Sequence, residues 1–263
     1  MNRMTDEFPG AVAVVSGAAQ GIGAAVARAL AARGVAVAAL DMQADGLARL
    51  AAEGAEAGQR IQPYVLDVSD GAAVRATIER IEAELGPIGM LANVAGILRL
   101  ATVDTLDDDA WLRSFAVNTH GVFHLSRAVA QRMTPRRAGS IVTVGSNAAL
   151  VPRMQMAAYA ASKAAAHQFT RCLGLELAGH GIRCNIVAPG STDTDMQRQL
   201  WRDETGAAAV IAGSLPAYRT GIPLGRIAAP DDVASVVLFM LSNAARHVTL
   251  DSVTVDGGAT LGA

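Results

Sequence analysis

Lysine is almost absent from this chain of 263 residues, because 22 of its residues are basic and only Lys163 is a lysine. Arginine and lysine serve equally well on a solvated surface, but only lysine offers a compact ammonium group. A single lysine among arginines therefore indicates a position where a compact cation is required. Lys163 is a candidate functional residue before any motif is considered.

Several classes of protein are excluded by what the composition lacks. The net charge is −2 with no cluster of basic residues, so we expect no nucleic-acid partner. No apolar run reaches the roughly 18–20 residues of a membrane span, so we expect no membrane partner. The first ten residues contain Asp6 and Glu7 and no apolar segment, so we expect no signal peptide and a cytoplasmic location.

Cysteine and histidine are scarce as well. A cytoplasmic chain of this length needs no disulfide, so we expect Cys172 and Cys184 to be buried thiols. His120 and His124 stand four residues apart, as metal ligands can, but no acidic or cysteine partner follows at ligand spacing. We therefore predict no metal site.

Short β-rich runs alternate with helical stretches along the whole chain, which predicts one α/β domain over residues 1–263. Its expected form is a Rossmann-type, doubly wound parallel sheet of about seven strands with helices on both faces. The predicted strands are Ala11–Val15, Val35–Leu40, Ile61–Leu66, Met90–Asn93, Ser140–Val144, Arg183–Val187 and Val248–Val255. The predicted helices are Ile22–Ala32, Gly71–Leu85, Asp107–Arg132, Ala157–Ala178 and Asp231–Leu241.

The one long stretch without a clear pattern is Ser191–Gly225, which follows the sixth predicted strand. A long irregular segment inside a compact domain is usually a lid or a binding loop. Open α/β sheets bind ligands at the carboxyl ends of their strands. We therefore expect residues 191–225 to cover a site at that edge.

A glycine-rich turn between the first strand and the first helix predicts a dinucleotide site. The turn has the spacing Gly-x-x-x-Gly-x-Gly at Gly17, Gly21 and Gly23, and glycine lets the backbone approach a pyrophosphate at a helix N-terminus. Asp41 closes the second strand, where a carboxylate accepts hydrogen bonds from the adenosine ribose and repels a 2′-phosphate. No basic residue at Ala19 or Met42 attracts that phosphate, so we predict NAD as the cofactor.

Tyr159 and Lys163 stand four residues apart in a helical stretch, which places them on one face. A free tyrosine has a pKa of about 10, and a nearby ammonium stabilises its phenolate. We therefore predict Tyr159 as general base and Lys163 as the cation that lowers its pKa. Ser146, after the fifth strand, would orient the substrate oxygen, and Asn118 would hold a water linked to Lys163.

These motifs resemble those of the short-chain dehydrogenase/reductase family over nearly the whole chain. The matching segments are Ser16–Gly23, Leu66–Val68, Asn93–Gly96, Asn118, Ser146, Tyr159–Lys163 and Pro189–Gly190. The resemblance implies that Lys163 also holds the nicotinamide ribose, and that Thr192 and Thr194 lie near the nicotinamide and phosphates. The cofactor residues it implies, with those of the turn and second strand, are Gly17, Ala19, Gln20, Gly21, Ile22, Gly23, Asp41, Met42, Asp67, Val68, Asn93, Ala95, Gly96, Tyr159, Lys163, Pro189, Gly190, Thr192 and Thr194.

A narrower resemblance, to family members that oxidise a ring hydroxyl of a cyclohexadiene carboxylate, lies in four segments. They are Val151–Arg153, Pro189–Gln197, Thr220–Gly225 and Val255–Gly262. Such a substrate carries a carboxylate, so we expect a second cation in the site and choose Arg153, with Arg99 and Arg198 as further candidates. Met156 and Met196 are predicted as an adaptable apolar wall for the ring.

Several functions remain open on the sequence alone. The diol carboxylate and its 2-amino analogue share the carboxylate, ring and reacting hydroxyl, and no residue separates them. A ketoreductase of acyl-carrier substrates normally uses NADPH, which Asp41 opposes, and a nucleotide sensor without turnover has no need of Tyr159. Related enzymes are usually tetramers that pack the segments Asp107–Arg132 and Ala157–Ala178 and the C-terminal segment across two-fold axes, so we expect a homotetramer.

Overall fold

Seven parallel strands form one sheet, as the alternating pattern predicts. The structure is a computed structural model that describes residues 7–199, 201 and 205–262. Among these residues the strand order is β3-β2-β1-β4-β5-β6-β7, and every neighbouring pair is parallel. The strands are Val12–Ser16 (β1), Ala36–Asp41 (β2), Ile61–Val65 (β3), Ile88–Asn93 (β4), Gly139–Val144 (β5), Ile182–Pro189 (β6) and Ser252–Val255 (β7). The predicted fold class is confirmed.

Helices cover both faces of the sheet. In the described residues they are Gly21–Ala31 (α1), Ala44–Glu56 (α2), Gly71–Leu85 (α3), Asp108–Phe115 (α4), Gly121–Arg136 (α5), Ala157–Ala178 (α6), Asp195–Arg198 (α7), Gly206–Ala212 (α8) and Pro230–Leu241 (α9). The short helices α7 and α8 lie within the stretch predicted as irregular. Positions 200 and 202–204 of that stretch, and positions 1–6 of the chain, lie outside the described residues.

Side chains of each strand point alternately to two hydrophobic cores, one on each face. In β1, Ala13 and Val15 join a core with α1, α2 and α9, whereas Val12 and Val14 join a core with α3, α5 and α6. Because both faces are covered, the central strands β1 and β4 are buried along their whole length, whereas the edge strand β3 alternates. Polar side chains therefore lie mainly at the ends of these strands, where the site is found.

Helix α2 was not predicted from the sequence. Its sequence carries two glycines, which disfavour helix by about 1 kcal/mol each relative to alanine. Both glycines serve close packing, since a Cβ on Gly46 would lie 2.7 Å from the Cβ of Ala19, and one on Gly54 would lie 3.0 Å from Ile61. The buried pair Leu47 and Leu50, three residues apart, is the helical signal that this segment does carry.

Two predicted elements differ from the observed ones. The long helix predicted over Asp107–Arg132 consists of α4 and α5 joined by a π-helical turn at Ala116–His120, and it continues to Arg136. The last strand begins at Ser252 rather than Val248, because Leu250 adopts a left-handed conformation with φ of 67° that no strand accommodates.

The two cysteines differ in burial. Cys184 is buried in β6, as expected, but the expectation of a buried thiol was wrong for Cys172, which lies on the exposed face of α6. None of the helices in the described ranges is long and apolar enough to cross a membrane. Within the same ranges, no three His, Cys, Asp or Glu side chains are grouped so that they could hold a metal ion.

Replacing Leu47 by alanine tests the packing of α2. Leu47 is fully buried, so Leu47→Ala is expected to lower the free energy of unfolding by about 2–5 kcal/mol in urea denaturation. Leu215→Ala is the matched control, since Leu215 is 87% exposed and its loss should change stability by less than about 0.5 kcal/mol. Equal stability of the two variants would contradict the packing of α2.

Candidate active site

A cavity of about 520 Å³ lies at the carboxyl ends of the parallel strands. Its walls include a residue at or just after the end of five strands, namely Gly17, Asp41, Val94, Gly145 and Gly190. The centre of this edge is the point between β1 and β4 where the strand order reverses, the place where open α/β sheets bind ligands. The topology therefore fixes the position of the candidate site.

The turn after β1 is built for close backbone approach. Gly17 has a φ of 67°, and a Cβ there would lie 2.8 Å from the Cα of Ala95. A Cβ on Gly23 would lie 2.0 Å from the carbonyl oxygen of Gly17, so neither position admits a side chain. Ser16 accepts hydrogen bonds from the N–H groups of Val94 at 3.0 Å and Ala95 at 3.2 Å, which pins this turn to the end of β4.

Helix α1 begins inside this turn and presents its N-terminus to the cavity. Gln20, Gly21 and Ile22 line the wall there. The leading N–H groups of a helix have no acceptor within it, and the helix dipole adds partial positive charge. Together with the two glycines this forms a cradle that fits a pyrophosphate.

Asp41 is held at the edge of the cavity by two backbone groups. Its Oδ2 accepts from the N–H of Ala19 at 3.1 Å, and its Oδ1 accepts from the N–H of Gln43 at 3.0 Å. The carboxylate is therefore oriented before any ligand arrives. Asp67, after β3, is oriented similarly, because its Oδ1 accepts from the N–H of Ser69 at 2.9 Å and from its hydroxyl at 2.7 Å.

Most of the predicted site residues line this one cavity. They are Gly17, Gln20, Gly21, Ile22, Gly23, Asp41, Met42, Asp67, Val68, Ala95, Gly96, Ser146, Arg153, Met156, Tyr159, Lys163, Pro189, Gly190, Thr192, Thr194 and Met196. Ala19, Asn93 and Asn118 do not line it. Ala19 contributes its N–H to Asp41, and Asn93 lies beneath the cavity, where it donates to the Ser126 hydroxyl at 3.0 Å.

Asn118 lies in the π-helical turn and is completely buried. Its Oδ1 accepts from the N–H of Ile97 at 2.8 Å, and its Nδ2 donates to the carbonyl of Ile97 and to the hydroxyl of Ser162, both at 3.0 Å. A π-turn displaces a side chain from the regular helical position. Here the displaced amide joins the segment after β4 to helix α6.

Tyr159 and Lys163 lie one turn apart on α6, as predicted, and both are almost fully buried. The Nζ atom of Lys163 donates to the carbonyl oxygen of Val144, the last residue of β5, at 2.9 Å. The same atom lies 5.9 Å from the centre of the Tyr159 ring. The ammonium is thus tethered to the strand end beside the tyrosine.

Burial governs the protonation of this pair. It lowers the pKa of Lys163 to about 8. It also raises the pKa of Tyr159, against the opposing effect of a hydrogen bond with the side chain of Ser146. The sequence-based prediction assigns the stabilisation of the phenolate to Lys163 together with oxidised nicotinamide, and it stays a prediction.

His167 is a site neighbour that the sequence analysis missed. It lies one turn beyond Lys163 on α6, is 2% exposed, and its Nε2 accepts from the N–H of Ser146 at 3.3 Å. Burial, with Lys163 and Arg171, lowers its pKa to about 4, so the ring is neutral at pH 7. Its spacing of four residues from Lys163 was the signal in the sequence.

The arginines divide into those in the cavity and those outside it. Arg153 lines the cavity as predicted, whereas Arg99 is exposed elsewhere and Arg198 binds Asp193 at 2.8 Å. Arg219, from the segment 191–225, and Arg113, an exposed residue of α4, also line the cavity and were not anticipated. Nothing in the local sequence of Arg219 distinguishes it from a surface arginine.

Removing the charge of Lys163 tests the cost of its burial. Because burial lowers the pKa from 10.5 to about 8, the charged form destabilises the folded state at pH 7. Lys163→Met is therefore expected to raise the free energy of unfolding by about 1–3 kcal/mol at pH 7 in urea denaturation. The wild type gains stability as pH rises from 8 to 10.5, so the difference should shrink over that range.

Arg49→Met serves as the control for this variant, because Arg49 is an exposed cation on α2. It should change stability by less than about 0.5 kcal/mol at either pH. A Lys163→Met protein less stable than the wild type at pH 7 would show that the bond to Val144 outweighs the burial of charge.

Comparison with known proteins agrees with this geometry. The model of the short chain dehydrogenase family matches residues 11–205. The chain is 54% identical over 253 residues to 2,3-dihydro-2,3-dihydroxybenzoate dehydrogenase of Bacillus subtilis (strain 168), which covers 96% of this chain and 97% of the relative. It is 42% identical over 260 residues to the enzyme of the same name from Escherichia coli (strain K12), with 98% and 100% covered.

Solved structures give the same result. A gluconate 5-dehydrogenase from Burkholderia cenocepacia J2315, in complex with NADP and tartrate, superposes with a TM-score of 0.89 at 32% identity, and 99% of each chain is covered. By sequence and by structure, this chain belongs to the short-chain dehydrogenase family.

Proposed function

We propose that this chain oxidises a ring hydroxyl of 2,3-dihydro-2,3-dihydroxybenzoate with NAD, and that the product rearranges to the aromatic 2,3-dihydroxybenzoate. The observation that carries the proposal is that Tyr159, hydrogen-bonded to Ser146 and backed by Lys163, lines the same cavity as the glycine cradle. Support for the substrate comes from two relatives of that name that align over nearly the whole chain.

The residues of the cradle fit NAD. The N-terminus of α1 with Gly17 and Gly23 would hold the pyrophosphate, and Asp41 would accept from the adenosine ribose hydroxyls. Asp67 and Val68 would contact the adenine, and Thr192 and Thr194 would lie near the nicotinamide and phosphates. When bound, NAD supplies the acceptor for the hydride that leaves the carbon bearing the hydroxyl.

The chain's own residues handle the proton. Ser146 holds the substrate oxygen, and Tyr159 takes the hydroxyl proton as general base. Lys163 stabilises the resulting phenolate, and oxidised nicotinamide, when bound, would add positive charge beside it. Asn118 would hold a water linked to Lys163, and its side-chain amide is fixed in place by bonds to Ile97 and Ser162.

The substrate half of the cavity fits a ring with a carboxylate. Arg153 would bind the carboxylate, and Met156 and Met196 would pack against the ring. The segment 191–225 would act as the lid, since its residues Thr194, Met196 and Thr220 line the cavity. Ring aromatisation after oxidation makes the overall reaction favourable.

The 2-amino analogue, which would give 3-hydroxyanthranilate in secondary metabolism, is the competing substrate. The names of the two relatives described above do not favour it. Reduction of acyl-carrier substrates normally uses NADPH, and Asp41 opposes binding of its 2′-phosphate. A nucleotide sensor without turnover would have no need of Tyr159 and Lys163, which are both present. The proposed product is a catechol of the kind used in siderophore biosynthesis.

We also propose a cytoplasmic homotetramer assembled through α4, α5 and α6. Large apolar side chains are exposed on these helices, among them Leu112 at 63% and Leu175 at 70%. Trp111 and Phe123 are exposed on the same set of helices. Two-fold packing through these helices would remove this apolar surface from water.

The general base is tested with Tyr159→Phe. Loss of the hydroxyl is expected to lower kcat by about 10²–10⁴-fold in assays of NADH formation from the diol carboxylate. Affinity for NAD, measured by calorimetry, should remain within about threefold, since the ring still packs in place. The same assay on the 2-amino substrate decides between the two substrates, and wild-type turnover of the variant would refute the role of Tyr159.

The choice of cofactor is tested with Asp41→Asn. The amide keeps an oxygen that accepts from the backbone but removes the charge that repels a 2′-phosphate, so kcat/KM with NADP relative to NAD should rise about tenfold or more. Asp45→Ala removes the same charge from an exposed position on α2 and should leave this ratio unchanged. An unaltered ratio in both variants would assign cofactor selection elsewhere.

A further inference from the structure

We propose that Arg219 and Arg153 together form a two-guanidinium site for the carboxylate of the substrate. The identity of the substrate rests on the proposed function, whereas the requirement for an anionic group follows from the two arginines themselves. Arg219 would then decide specificity for substrates that carry a carboxylate over neutral ones.

Both side chains belong to the substrate half of one cavity. Arg153 and Arg219 line it together with Met156 and Tyr159, and both arginines are half-buried. Nη2 of Arg219 lies 3.6 Å from the sulfur of Met156, whose side chain lines the same wall. The two guanidinium groups therefore face a space beside the general base.

The two arginines come from different segments of the chain, and the backbone of each is hydrogen-bonded. Arg153 lies in the connection between Ser146 and α6, where its carbonyl accepts from the N–H of Met156 at 3.3 Å. Arg219 exchanges two backbone hydrogen bonds with Ser214, each of 2.9 Å, which closes a tight loop after α8. Two guanidinium groups on fixed backbones are suited to a planar carboxylate.

The charges of this pair are only partly balanced by the protein. Burial lowers the pKa of Arg153, the nearby Arg219 lowers it further, and Asp256 acts in the opposite direction. The Asp256 carboxylate accepts from Asn147 at 3.2 Å, Thr260 at 2.8 Å and the N–H of Gly258 at 2.9 Å, so it is held by neutral donors and bonds to neither arginine. Within the described ranges, neither arginine has a carboxylate oxygen within 4.0 Å.

Arg198 and Arg226 differ from Arg153 and Arg219, because each of them is paired with a carboxylate. Arg198 binds Asp193 at 2.8 Å, and Arg226 binds Asp232 at 2.6 Å, so both are neutralised on the exposed surface. Two adjacent, half-buried cations without such a partner repel each other. An anionic group between them relieves this repulsion, and the cavity leaves room for one.

A carboxylate bound by both arginines would join the connection after Ser146 to the loop that follows α8. A ring of the same shape without the carboxylate would bind weakly.

The test compares Arg219→Gln, Arg153→Gln and the double variant with wild type, and Arg219→Lys as a conservative change. Arg226→Gln is the matched control, because it removes an arginine of the same region that does not line the cavity. The measurements are kcat and KM for 2,3-dihydro-2,3-dihydroxybenzoate with NAD, and calorimetric binding of benzoate to the NAD-saturated protein. Affinity for NAD reports that each variant is folded.

Arg219→Gln is expected to raise both KM and the Kd of benzoate about 10- to 100-fold, the range of one hydrogen bond to a charged group. Its kcat should fall by less than about threefold, and Arg219→Lys should recover part of the affinity. Because the two arginines share one anion, the loss in the double variant should be smaller than the product of the single losses. Arg226→Gln should match wild type in all measurements.

Failure of this inference is distinguishable from failure of the proposed function. If the diol carboxylate is not oxidised but benzoate binding depends on Arg219, the two-guanidinium site stands and the substrate is another carboxylate. If the diol carboxylate is oxidised and Arg219→Gln behaves like Arg226→Gln in KM and benzoate affinity, the inference is overturned while the function stands. Absence of benzoate binding to wild type also overturns it.

Discussion

The candidate site depends on one buried interaction, the hydrogen bond from Lys163 to the carbonyl oxygen of Val144. A charged group buried to this degree is costly unless it is bonded, and here the bond joins the end of β5 to helix α6. Tyr159 and His167 stand one turn to either side on the same helix. Anchoring Lys163 therefore places Tyr159, the proposed general base, and His167, which accepts from the N–H of Ser146, at the same site.

Charge is distributed unevenly along the cavity, and the order of strands explains how. Asp41 ends β2, whereas Arg153 lies in the connection after β5, with β1 and β4 between these strands. Three strand spacings separate the ends of β2 and β5 by roughly 14 Å. The carboxylate of Asp41 is suited to the hydroxyls of a nucleoside, and the guanidinium groups of Arg153 and Arg219 are suited to an acid. The charges of the cavity therefore predict which end holds the nucleoside and which end holds the acid.

Much of the fold and the site could be predicted from the sequence. The strands have apolar runs of the right length, and the glycine turn, Asp41, Tyr159 and Lys163 are each marked by local spacing. The π-helical turn at Asn118 and the glycine-rich helix α2 escaped prediction because tertiary packing overrides weak local preferences. Arg219 could not be predicted, since only the folding of the segment 191–225 brings it beside Arg153.

The contact between Gly145 and His167 has a consequence for how this chain can vary. A Cβ on residue 145 would lie 1.8 Å from the Nε2 atom of His167, so any side chain there collides with the imidazole. A smaller residue at 167 would remove the collision but also the acceptor for the N–H of Ser146. A side chain at position 145 is therefore tolerated only after His167 has been replaced by a smaller residue.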